Sequence, residues 1–448
     1  MGEKDVLHTD VLVIGAGPSG LAAAQTAAAG GASVTIVEAT GEIGGNAAFS
    51  TGYLAFAGTS AQRKLGIADS PDAYLADLLA EVEHRRELFD PEFDTAVAER
   101  FTRESGAGFE YLRDLGFWFD RIVSRPLQHS VDRTVVMTAP AQFRDVFADH
   151  LERLGVTVLV RRRARELVRA GGAVTGALIE GPGGTATEVR AARGVIVTTG
   201  GYQASSALRA RHRPDADPDS PYPGLDTNLG DGHLMLEQAG AALVNMHMVP
   251  EVVLIASRLI EECIAVTEDG VRFHDETGPE ALRLRALRRL PGAIGYYLCD
   301  ARTAQGKAQL LADVPAPKKT FESLAGVARA IDADPAVLAD TIRRWNETVE
   351  SGVPADPEFG RVVFPRPRTG ITTPPYTVVP MVVGTNISAG GSRVSPDMEV
   401  LDVRARPIAG LYAAGDCSAG ISAAIGIGGL HLAAGITLGR VAGRSACA

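Results

Sequence analysis

Residues 9–39 read TDVLVIGAGPSGLAAAQTAAAGGASVTIVEA, and this one stretch decides the fold. A run of apolar residues over 10–14 predicts a buried strand. Gly15, Gly17 and Gly20 follow in GxGxxG spacing, then an alanine-rich helix opened by Pro18 and Ser19, then a second strand closing on Glu38 and Ala39. Gly15 lets the chain turn out of the strand, Gly17 removes a side chain that would block a pyrophosphate, and Gly20 lets helix and strand pack closely. Amides at the helix start would face phosphates, where the helix dipole favours negative charge. Glu38 stands where a carboxylate accepts hydrogen bonds from ribose hydroxyls and repels a 2′-phosphate. The expected cofactor is therefore an unphosphorylated dinucleotide, FAD or NAD.

The chain has 448 residues, 46% hydrophobic and 22% charged, which suits a globular protein of two domains. Its formal net charge of -10 predicts no nucleic-acid surface, and the run Arg161, Arg162, Arg163 reads as a solvated strand end. Apolar stretches are interrupted well before the roughly 18 residues a membrane span needs. The N-terminus has no signal-peptide core, and Cys263, Cys299, Cys417 and Cys447 are scattered without metal-ligand spacing. The expectation is a cytoplasmic protein with idle thiols and no metal.

Working outward, GEIGGNAAFSTGYLAFAG follows Glu38. It is a loop in which Gly44, Gly45, Asn46, Ala47, Ser50, Thr51 and Gly52 would let backbone lie against a ring system. Helices are expected over 71–86 and 91–115, the second capped by Asp90 before Pro91. Phe117, Trp118 and Phe119 begin a strand-like segment. A helix over 141–154 and a strand over 156–160 precede a three-stranded meander, with Ala164 near its start as a cofactor candidate. The meander leads into a buried strand ending at Thr198, Thr199 and Gly200. Asp231 heads a helix, residues 359–448 return to the first domain, and the strand GLYAAGDC closes on Gly415 and Asp416. Gly428, Gly429 and Leu430 then enter the last helix, whose amides would face the pyrimidine edge of a flavin. An NAD enzyme has no need of that distant segment, so FAD is preferred. The expected fold is α/β: a Rossmann-like FAD-binding domain with a β-meander, in two parts (1–244 and 359–448), plus an inserted α+β capping domain (245–358).

These stretches, with GVRFHDE and IGIGG, resemble in order the FAD-binding 2 family, the fumarate reductase and succinate dehydrogenase flavoproteins together with the 3-ketosteroid dehydrogenases. The resemblance implies noncovalent FAD, because Asn46 stands in the Gly-Gly-Asn loop and no His lies nearby. It also implies a small-molecule substrate held between cap and flavin, an unassigned electron donor or acceptor, and transfer of two hydrogens across a C–C bond beside an electron-withdrawing group. Three departures bear on the substrate. Fumarate reductases carry His-Thr-Met-Gly-Gly where this chain has Asn386, Ile387, Ser388, Ala389, Gly390 and Gly391. They carry an arginine where it has Gly426, and a His-Pro-Thr where Met248 to Leu254 has no His. Lacking that double carboxylate clamp, the chain is expected to act on a larger, less anionic substrate than fumarate, ketosteroid-like or another cyclic ketone. Alternatives are oxidation at C–N or C–O of a specialised metabolite, or a flavin-binding protein whose redox site has decayed. The family's proton-transferring position aligns with Glu280, and Arg283 stands close by. Arg258, Tyr297, Ser388 and His431 complete the catalytic candidates, each with an ordinary structural alternative. His129 reads as a structural histidine.

Overall fold

Val11, Leu12, Val13 and Ile14 are wholly buried, as a strand covered on both faces requires, and they form the C-terminal half of β1 (Asp5–Ile14). The computed structural model describes residues 5–137 and 139–448. Helix α1 (Pro18–Ala29) returns the chain to β2 (Val34–Val37), parallel to β1. The sheet runs Glu399–Leu401, Pro407–Ala413, Ala186–Val197, β1, β2, Thr157–Leu159. Along this row every pair is parallel except the first. Ile14 and Ala413 both lie beside Val197, so the loops that leave these three strands share one edge.

The meander is Arg163–Ala170, Ala173–Glu180 and Ala186–Val197. Its third strand and the expected buried strand are one element of 12 residues. The first half pairs with the hairpin, and the second lies between β1 and Pro407–Ala413.

Several local expectations are corrected. Asp90 does not start a helix: in a left-handed conformation (φ 41°) it ends Pro71–Phe89, and Asp94 caps Thr95–Leu115 by accepting the Ala96 and Val97 amides. Phe117–Phe119 form no strand. Phe117 packs on Phe143 and Phe147, and Phe119 stacks on Phe109. Arg163 is not simply solvated, because it pairs with Asp231 at 2.6 Å. The thiols of Cys263 and Cys299 are neighbours, one register step beyond the pair Ile264 and Leu298.

By its internal contacts the chain divides into two units. One contains residues up to Asp219 with Gly224–Val249 and Ile387–Ala448; the other contains Ser220–Pro223 and Pro250–Asn386. The second unit runs past the expected exit at 358 because Tyr376–Pro380 completes its sheet, between Tyr296–Cys299 and Lys319–Phe321. Val383–Thr385 also pairs with Glu251–Val253. It starts later than 245 because Asn245 is tied by two hydrogen bonds to the Glu92 backbone.

A buried ionic knot anchors this second unit. Arg272 and Arg361 both reach Glu276, Arg272 also pairs with Asp356, and the two guanidinium groups lie 4.7 and 4.6 Å from the Trp345 ring centre. Burial alone would raise the Glu276 carboxyl, but the two arginines overcome it and hold it at about 2. Removing one partner of such a buried set costs about 3–5 kcal/mol, so Glu276→Gln should lose that much in chemical denaturation. The carboxylate's contribution is present above its free value of about 4.3 and lost as pH falls towards the folded value. The variant should lack that part of the acid dependence.

Candidate functional site

The glycine turn after β1 shows two kinds of constraint. A Cβ on Gly15 (φ +103°) would stand 2.5 Å from the Thr198 carbonyl oxygen, and one on Gly20 would stand 2.0 Å from the Gly15 carbonyl oxygen. Both are fixed by packing. A Cβ on Gly17 would meet nothing within 4 Å, so this Cα borders open space. Gly17 is also the N-cap of α1, with no side-chain cap and no acid in the first turn. The first-turn amides are left for an anion, which is the fit a pyrophosphate requires.

The rest of the expected cradle gathers around this turn. Gly45 crosses it closely, its Cβ direction 3.0 Å from the Gly17 Cα. Asn46 and Ala47 follow in a short 3-10 turn, where Asn46 accepts the Leu225 amide. Ser50 accepts the Gly52 amide at 3.3 Å. Glu38 is buried, accepting the Ala16 amide at 2.8 Å on one oxygen and the Thr40 amide and hydroxyl on the other. Its carboxylate is thus pinned beside the turn. Thr198 Oγ1 donates to the Ile14 and Gly15 carbonyls, while Thr199 Oγ1 accepts the Gly232 amide and meets Cys417 Sγ at 3.1 Å. Gly415 approaches the Ser19 hydroxyl so closely that a Cβ would lie 2.5 Å away. Turns from the beginning, middle and end of the chain therefore touch. Ala164 lies buried in the first meander strand beside Ile179.

Another helix start without a side-chain cap is that of Leu430–Ser445, where Gly429 (φ +81°) is the N-cap. The Leu430 amide turns back to Ile427, and the Gly429 carbonyl accepts the Ala55 amide. Among the described residues nothing accepts the Gly429 N–H.

Residues that sequence reasoning did not assign to the site surround this turn. His129, 4% exposed, contacts the Gly428 carbonyl at 2.9 Å. Glu81 and Arg85 press on Gly426, where a Cβ would lie 2.1 and 2.6 Å from their side-chain ends. The i,i+4 spacing of Glu81 and Arg85 signals an ion pair but not where it points.

The catalytic candidates fall in both units. In the second, Arg283 and Tyr297 are brought together and are 3% and 2% exposed. Among the described residues, Arg283 Nη1, Tyr297 OH and nearby His274 Nε2 have no hydrogen bond that meets a strict geometric test. Burial pushes the Tyr297 phenol up. Glu280 is half exposed at the head of Glu280–Arg288, 3.7 Å from Arg283. Arg258 sits on the short helix Ser257–Ile260. In the first unit, the buried hydroxyl of Ser388 and His431 Nε2 have no hydrogen-bond partner among the described residues. Burial lowers His431 to about 4.

A family model described as FAD binding domain matches residues 10–438. Probable fumarate reductase Ifc3 of Shewanella frigidimarina is 28% identical over 454 residues, covering 98% of this chain and 74% of that protein. Urocanate reductase of Eggerthella lenta is 27% identical over 476 residues, covering 98% and 74%. The 3-ketosteroid-Δ4-(5α)-dehydrogenase structure from Rhodococcus jostii, with 4-androstene-3,17-dione, shares the fold at TM-score 0.71 and 23% identity, over 100% of this chain and 98% of that one.

Burial raises the Asp416 carboxyl to about 6, although part of the residue reaches solvent. A carboxyl raised above its free value of about 3.9 favours folding in its protonated form. Its contribution is complete below that free value and lost as pH rises through the folded one. Thermal melts of the flavin-stripped protein should show this fall between about pH 4 and 6, and Asp416→Asn should flatten it.

Proposed function

The chain belongs to the FAD binding domain family and is an FAD-dependent oxidoreductase, and from that premise we propose that it reduces a carbon–carbon double bond conjugated to an electron-withdrawing group, in an acceptor with at most one negative charge. The observation that carries this reading is the pair beside Gly426. Arg85 Nε lies 2.6 Å from Glu81 Oε1, and both side chains are largely buried. Where the family resemblance puts an arginine free to clamp a carboxylate, this chain offers one already neutralised by its own acid. A second substrate carboxylate there would be desolvated without compensation. Ser388, whose buried hydroxyl has no partner among the described residues, suits a carbonyl oxygen.

When bound, FAD supplies the hydride from its N5 to one carbon of the double bond. The chain supplies the proton for the other carbon. A phenol raised by burial stays protonated at neutral pH, and the adjacent Arg283 charge stabilises the phenolate left behind. This supports Tyr297 as the acid, Arg283 as its electrostatic partner, and the more exposed Glu280 as the group that returns the proton from solvent. FAD is held noncovalently, in keeping with a loop over 40–60 that contains no His.

Holoenzyme reduced anaerobically with dithionite and then mixed with acrylate, urocanate or fumarate tests the charge rule by flavin reoxidation. Fumarate should be slower by about tenfold or more, the worth of about 1.4 kcal/mol at the transition state. Fumarate outpacing the other two would sink the reading. Tyr297→Phe should lower turnover by about 10²–10⁴ while reduction by dithionite stays as fast as in the parent.

A further inference from the structure

We propose that His129 is a positioning residue for the flavin, fixing the Gly428–Gly429 peptide so that the Gly429 N–H is held towards the pyrimidine edge. The inference rests on the FAD reading and adds a residue that lies 299 positions from the peptide it controls.

The geometry runs as a chain of hydrogen bonds. The Gly428 carbonyl can only accept, so His129 Nε2, 2.9 Å away, carries the hydrogen. Nδ1 of the neutral ring is then an acceptor, and Arg133 Nη1 approaches it at 3.4 Å. Arg133 is fully buried, paired with Asp69 at 2.9 Å and with Asp77, and it lies 4.4 Å from the Tyr74 ring centre. Asp69 also accepts from Gln62, and Asp77 accepts the Ser130 amide and hydroxyl. With so many fixed partners, the guanidinium has one place to be, and so does the imidazole.

In a trans peptide the C=O and N–H point in opposite directions. Holding the Gly428 carbonyl against His129 therefore aims the Gly429 N–H the other way, and that N–H has no acceptor among the described residues. The neighbouring peptide is held as well, because the Gly429 carbonyl accepts the Ala55 amide at 3.0 Å. Donation from Arg133 into the ring makes Nε2–H a stronger donor. Donation to the carbonyl in turn makes the same peptide's N–H a stronger donor. Polarisation thus accumulates in one direction, from a buried cation to an amide fixed before negative charge develops on the flavin.

The test uses the holoenzyme, with two readouts besides turnover: the FAD dissociation constant of the stripped protein by fluorescence, and the midpoint potential by equilibration with a reference dye. His129→Leu should retain FAD but shift the two-electron equilibrium towards the oxidised form by about tenfold, a fall of about 30 mV. His129→Gln, which keeps an N–H donor, should recover most of it. A His129→Leu enzyme that holds FAD at the parent potential overturns the proposal, and so does one with weaker FAD binding alone. If the leucine variant fails to fold, ¹⁵N-histidine spectra of the parent decide: an Nε2–H tautomer whose signal moves on flavin reduction supports the proposal, and an Nδ1–H tautomer overturns it. A parent protein that takes up no FAD would instead refute the family reading.

Discussion

The site depends on how closely two helices from opposite ends of the chain approach. On the final helix, a Cβ at Gly439 would fall 2.3 Å from the Ser19 carbonyl oxygen and one at Gly443 would fall 2.4 Å from the Ala23 carbonyl oxygen. One at Gly435 would lie 2.7 Å from the Ser19 hydroxyl. Spaced by four, these glycines form one stripe facing α1. Each costs about 1 kcal/mol of helix propensity against alanine, so the close approach must return more through dense contact along the stripe. Because Ser19 lies in the first turn of α1 and Gly429 starts the final helix, a side chain anywhere on the stripe would spread the two uncapped helix starts apart.

What could be read from the sequence is what steric necessity writes locally. A turn that needs φ above zero, a strand too apolar to face water and an acid at a strand tip each leave a residue-type signature. The first βαβ unit, the meander, the glycine loop and the final turn were all visible in this way. Partners brought from a distance were not. Nothing near His129 in the chain announces the Gly428 carbonyl, and nothing near Glu81 announces Gly426. The limits of the second unit were hidden for the same reason, since only pairing with Tyr296–Cys299 shows that Tyr376–Pro380 belongs to it. The helix cap was misassigned because Asp90 and Asp94 are equally good capping residues, and tertiary contact decides between them.

Buried charge is treated in two ways. Arg133 sits between two aspartates, and Arg272 and Arg361 meet Glu276 with Asp356 close by. Such knots are costly to desolvate and disruptive to break, so they fix one arrangement of the elements that carry them. Among the described residues, Arg283 Nη1, Tyr297 OH, His274 Nε2 and Ser388 Oγ are left without hydrogen-bond partners instead. An orphan atom alone is not a functional mark, since Trp345 Nε1 and Thr341 Oγ1, in the core of the second unit, also lack a partner among the described residues. What sets Arg283 and Tyr297 apart is that a guanidinium, 3.7 Å from Glu280, and a buried phenol lie side by side.

The helix Pro71–Phe89 joins these themes. Asp77, Glu81 and Arg85 are spaced by four and so lie on one face. Asp77 holds Arg133 and Ser130, behind His129 and the Gly428 carbonyl. Glu81 and Arg85, one and two turns further on, fill the space beside Gly426. A polar stripe turned inward explains why this helix shows so little amphipathic character in its sequence: Tyr74, Leu78 and Val82 are buried beside charges that are buried too. One rigid element thus meets the final turn at two places, one suited to fixing a peptide amide and the other to setting the charge of whatever lies against Gly426. A shift of the helix along its axis would disturb both together, which ties acceptor choice and flavin environment to the same few side chains.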